Sequence, residues 1–142
     1  MRSRLVWIVL LAGVVTLGAP ARTPAQTRSP KVYEITMTSF RFEPDQIRVT
    51  EGDTVVLRLR NADTERRFAH DIASRYFVGV PLTVRGTARL GEEEGRRFVR
   101  LDFGQSAEVE FVAQNPGSYA FICSVFIHSW AGMTGALFVE RR

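Results

Sequence analysis

The stretch TVVLRLR (54–60) alternates, with Val55, Leu57 and Leu59 on one face and Arg58 and Arg60 on the other. A period of two fits a half-buried β-strand and does not fit an amphipathic helix. SAEVEFVA (106–113) repeats the pattern, with Val109 and Phe111 inward against Glu108 and Glu110. VYEITMT (32–38), QIRVT (46–50), SYAFIC (118–123) and TGALFVE (134–140) add four short runs rich in β-branched and aromatic residues. EGD (51–53) and QNPG (114–117) are turn signals between them. No long stretch carries a 3.6-residue apolar period. The expectation is an all-β chain folded as a Greek-key β-sandwich or barrel.

The middle of the chain, 73–105, is less regular. PLTV and RRFVRL read as edge strands. GEEEGRR between them reads as a solvated loop.

The N-terminus follows a different logic. MRSR is basic, and the apolar run 5–17 spans thirteen residues, short of the roughly 20 a membrane span needs. GAPARTPAQ then offers small residues for cleavage after Ala21 or Ala25. Residues 1–25 are therefore expected to be a signal peptide, 26–31 a flexible N-terminus and 32–142 the folded domain. The expected location is periplasmic or secreted, with an uncleaved N-terminal anchor as the alternative and no membrane span in the mature chain. Without residues 1–25, sixteen basic residues face fifteen acidic ones, scattered and mixed in sign. No basic block exists for nucleic acid, so none is expected as a partner.

An exported chain with a single cysteine cannot form an internal disulfide, so Cys123 needs another explanation. Cys123, His128 and Met133 follow Cys-x4-His-x4-Met, and His70 is the only other histidine. A thiolate and two imidazoles with a weak axial thioether form the donor set of a blue-copper centre. Cys123 and Met133 would sit at the ends of successive strands, His128 in the loop between them, and His70 far upstream. Separate strands would then hold the ligands in place before metal arrives.

Other chemistries fit less well. Structural zinc sites use cysteine and histidine, and methionine is a poor zinc ligand. Cys–His nucleophilic catalysis needs an orienting third group, a role methionine does not fill. A two-copper centre of the oxidase type needs a second cysteine. Singly, each residue reads more simply as a buried apolar side chain or a satisfied core histidine. The set and its order carry the copper assignment.

At these residues the chain resembles the cupredoxins, the small blue copper proteins. FRFEPDQIRVTEGDTVVLRLRN is similar to their opening strands, AHDI to the first histidine segment, and NPGSYAFICSVFIHSWAGMTGALFV to the ligand loop and last strand. The resemblance implies one mononuclear type 1 copper with His70, Cys123 and His128 equatorial and Met133 axial. It implies a one-electron carrier between redox partners, not an enzyme. A copper-delivery module or a contact subunit without electron shuttling is the alternative. It also implies that His128 lies near the surface within an apolar patch, for which Phe126, Ile127, Trp130 and Ala131 are candidates. A cytochrome, oxidase or reductase would dock there. The carbonyl of Ala69 would face the copper opposite Met133.

Two positions depart from the family pattern. Asp71 stands where Asn is common; it would accept a hydrogen bond from Ser124, and its charge would lower the reduction potential. Phe126 and Ile127 stand where Pro-Gly is common, implying a bulkier loop.

Overall fold

The computed structural model describes residues 29–64 and 67–142. The expected signal peptide, 1–25, lies outside the described residues. The strands are β1 (Lys31–Thr38), β2 (Arg41–Glu43), β3 (Gln46–Thr50), β4 (Thr54–Asn61), β5 (His70–Ser74), β6 (Thr83–Gly86), β7 (Arg89–Glu93), β8 (Arg96–Leu101), β9 (Ser106–Val112), β10 (Gly117–Ile122) and β11 (Thr134–Glu140). A 3-10 turn, Tyr76–Val78, follows β5. No helix among the described residues is long and apolar enough to cross a membrane.

Two mixed sheets form a β-sandwich. One has the order β2-β1-β4-β9-β6, the other β3-β11-β10-β5-β8-β7. β1 runs parallel to β4 and β3 parallel to β11, while the remaining neighbours are antiparallel. The expected alternation holds: Val55, Leu57, Leu59, Val109 and Phe111 are buried. On the opposite face Arg58 bridges Glu34 and Glu108, at 2.9 and 2.8 Å. The core between the sheets takes Ile35 and Met37 from β1, Ile47 and Val49 from β3, Val99 and Leu101 from β8, and Leu137 and Val139 from β11.

Two residues tighten the end of the sandwich near Cys123. Phe121 meets the ring of Phe42 edge-on, with centroids 5.1 Å apart. Gly135 leaves room for that ring, since a Cβ there would come within 2.3 Å of it.

The middle of the chain departs from the sequence reading in two ways. β6, overlapping PLTV, is an edge strand as expected, but β8 (RRFVRL) lies inside its sheet between β5 and β7. GEEEGRR is a hairpin rather than a loop: Gly91–Glu93 pair with Arg96–Phe98, and Glu94 and Gly95 make the turn at φ 49° and 69°. Positive φ at both central residues matches the right-handed twist of the flanking strands. Alternation there is masked because both faces of β7 are largely exposed. β10 stops at Ile122, one residue before the cysteine.

Candidate metal centre

His70 opens β5, opposite Leu101 of β8. Cys123 follows β10, and Met133 precedes β11. The loop between them closes on itself through backbone hydrogen bonds. Cys123 N–H donates to the Met133 carbonyl (3.0 Å), and Met133 N–H donates to the His128 carbonyl (3.0 Å). His128 N–H donates to the Val125 carbonyl (3.0 Å) and Gly132 N–H to that of Ser129 (3.1 Å). These bonds bring the ends of an eleven-residue segment together and turn His128 back toward Cys123.

The side chains converge accordingly. One ligand atom each from His70, Cys123 and His128 lies within 4.8 Å of the others. Cys123 Sγ is 3.8 Å from His70 Nδ1 and 3.4 Å from His128 Nδ1. His70, Cys123 and Met133 are fully buried, and His128 is 3% exposed. The four residues singled out from the sequence thus share one buried site.

Burial pushes the Cys123 thiol up to about 12, with the Asp71 charge adding to the effect. Burial and the neighbouring His70 hold His128 below the usual histidine range. A neutral imidazole is a metal-binding form, and a cation would have to displace the thiol proton. Two imidazoles, one thiol and a buried thioether suit a type 1 copper ion better than zinc, because soft sulfur and imidazole together serve both copper oxidation states.

Around this set the structure shows contacts both expected and missed. Asp71 is fully buried and accepts from Ser124 N–H (2.6 Å) and Ser124 Oγ (2.8 Å), as the sequence suggested. Arg100, opposite Asp71 in the β5–β8 register, was not foreseen. Its Nε donates to Asp71 Oδ2 (2.8 Å) and its Nη2 to Ser124 Oγ (3.1 Å). Asp63 was also missed: its Oδ2 lies 3.0 Å from His70 Nε2. Phe40 and Phe68 cover His128, with ring centroids 5.0 and 5.2 Å from the imidazole. None of these has a sequence signal beyond residue type: Phe40 lies between β1 and β2, Asp63 and Phe68 lie between β4 and β5, and Arg100 is on β8. Phe126, Ile127 and Trp130 are exposed, at 86%, 53% and 92%. Phe126 has a positive φ of 46°, a backbone conformation that proline cannot adopt.

Known proteins bear on this site and fold. A family model described as a cupredoxin-like domain matches residues 7–139. No curated protein sequence matches the chain. Among solved structures, dithionite-reduced auracyanin from the photosynthetic bacterium Roseiflexus castenholzii is 21% identical, with a TM-score of 0.59, covering 79% of this chain and 98% of that one. Auracyanin A, a "blue" copper protein from Chloroflexus aurantiacus, is 20% identical with a TM-score of 0.55, covering 79% and 100%. A multicopper oxidase from Campylobacter jejuni is 14% identical with a TM-score of 0.60, covering 90% of this chain but only 34% of that one. At these identities the likenesses speak to the fold, and the family match covers nearly the whole chain. This chain belongs to the cupredoxin-like domain family.

Proposed function

We propose that this chain is an exported type 1 copper protein that carries single electrons between redox proteins. The observation carrying the reading is the convergence of His70 Nδ1, His128 Nδ1 and Cys123 Sγ in a buried pocket beside Met133. His70, Cys123 and His128 would hold the metal, with the Met133 thioether as a further, weaker ligand. Bound copper would supply the one-electron couple.

The protein's part is to hold the donors still and exclude water. The closed 123–133 loop and β5 fix the two imidazoles and the sulfur on separate elements, so little needs to move between oxidation states. Burial of all four side chains favours a carrier over a delivery module, which must open its metal to an incoming ligand. The exposed Phe126, Ile127 and Trp130 supply an apolar surface beside the His128 loop for a redox partner. Both histidines of the chain belong to this one site, leaving no imidazoles for a second copper centre of the oxidase kind. The resemblance to auracyanins, one of them a blue copper protein and one studied in a reduced form, supports the same reading. The apolar segment at 5–17 supports export.

Cu(II) loading of the folded domain tests the assignment. An intense red-region absorption that disappears in Cys123→Ser is the expected result. A protein that takes up Cu(I) alone would favour the delivery module.

A further inference from the structure

His70 presents two nitrogens to two different environments. Nδ1 faces the Cys123 sulfur at 3.8 Å, and Nε2 faces Asp63 Oδ2 at 3.0 Å. An ionised carboxylate only accepts hydrogen bonds, so Nε2 must carry the proton in this contact. The lone pair of a neutral ring is then on Nδ1, on the side of the sulfur. His70 and Asp63 are both buried, at 0% and 3% exposure, so water does not compete strongly for the bond.

Asp63 is itself held in place. Ser39 Oγ donates to the same Oδ2 that receives His70. Asp63 N–H donates to Asn61 Oδ1 (3.2 Å), and Asn61 Nδ2 donates to the carbonyls of Phe68 (2.8 Å) and Leu101 (3.1 Å). Ser39 lies between β1 and β2, Asp63 follows β4, and Leu101 ends β8. Two connections and the end of β8 thus meet behind one imidazole. Phe40, next to Ser39, places its ring 5.0 Å from that of His128. The β1–β2 connection therefore supports both histidines, one through Asp63 and one by ring contact.

We infer that Asp63 is a positioning residue for His70: through the Ser39–Asp63–His70 chain it fixes the Nε2–H tautomer, presents Nδ1 to the metal and biases the site toward Cu(II). A carboxylate hydrogen-bonded to the far nitrogen of a ligating histidine fixes ring orientation and raises its basicity. A more basic imidazole favours the more highly charged oxidation state. The inference rests on the copper reading above for its metal-dependent part only; the tautomer is a property of the metal-free chain.

The test compares the wild type with Asp63→Asn, Asp63→Ala and Ser39→Ala. In the metal-free wild type at pH 8, nitrogen-15 NMR of His70 should show a slowly exchanging proton on Nε2 and none on Nδ1. Asp63→Ala should give mixed tautomers and a ten- to hundredfold weaker Cu(II) affinity, of the order seen on losing such partners. Asp63→Asn, which keeps an acceptor but removes the charge, should hold the tautomer. At a fixed external potential it should shift the Cu(I)/Cu(II) ratio about tenfold toward Cu(I), about 59 mV for one electron. Ser39→Ala should move in the same direction by less.

A His70 proton on Nδ1 in the metal-free wild type overturns the inference, even if Asp63→Ala does not fold. So do Asp63→Asn and Ser39→Ala proteins whose copper affinity and Cu(I)/Cu(II) ratio match the wild type. If the wild type shows the Nε2–H tautomer but takes up no copper, the carrier reading fails and the positioning of His70 by Asp63 stands.

Discussion

Arg100 Nη2 lies 2.7 Å from Asp71 Oδ2, and the Asp71 side chain is fully buried while that of Arg100 is 22% exposed. The two residues face each other across the β5–β8 pair, and the Arg100 guanidinium also sits 4.4 Å over the ring of Phe98. The acidic residue beside the first histidine is thus compensated locally.

This pairing makes Arg100 a strong stability determinant. Arg100→Met leaves a buried carboxylate without its cation and should cost about 3 kcal/mol in denaturant unfolding of the metal-free protein. Adding Asp71→Asn to that variant should recover most of the loss, because the amide still accepts from Ser124 N–H without a charge. A double variant no more stable than Arg100→Met would refute the pairing as the cause.

A second stability prediction concerns backbone approach. A Cβ on Gly135 would meet Phe121 Cε2 and Cζ at 2.3 Å and the Asp45 carbonyl oxygen at 2.5 Å. Neither the packed ring nor the backbone can yield easily, so Gly135→Ala should destabilise by about 1–3 kcal/mol, read as a lower Tm.

The buried thiol sets a pH dependence in the metal-free protein. Burial raises Cys123 from 9.0 to about 12. Between those values the folded state keeps a proton that the unfolded chain has lost. Stability from this group is therefore fully present below the unfolded value and is lost as pH rises toward the folded one. The slope reaches at most about 1.4 kcal/mol per pH unit. Urea unfolding across this range should show the decline, and Cys123→Ser should lack it.

Loop strain and partner contact can be separated. Phe126 holds a φ of 46° with its side chain 86% exposed. A left-handed conformation costs a non-glycine residue roughly 1–2 kcal/mol, part of which glycine returns as lost chain entropy. Phe126→Gly should therefore leave stability unchanged or raise it by up to about 1 kcal/mol. On the carrier reading, Phe126→Gly and Trp130→Ala should both slow electron exchange with a cytochrome while leaving the copper spectrum unchanged.

The sequence made the ligand loop legible because Cys123, His128 and Met133 lie within one short connection. It made β4 and β9 legible because one face of each is buried and the other carries charge. The hairpin of β7 and β8 was hidden because β7 buries neither face, so no alternation marks it. Asp63, Arg100 and Phe40 were hidden for a different reason. Each reaches the site across a connection or between neighbouring strands, and such adjacency is set by topology rather than local pattern. Asp71 and Ser124 were accessible only because each adjoins a ligand in sequence.

The most direct measurement is the visible spectrum of the Cu(II)-loaded protein beside Cys123→Ser. The site described above predicts an intense thiolate-to-copper band in the red for the wild type and none for the variant. A colourless wild-type protein under saturating Cu(II), or a band that survives in Cys123→Ser, would contradict it.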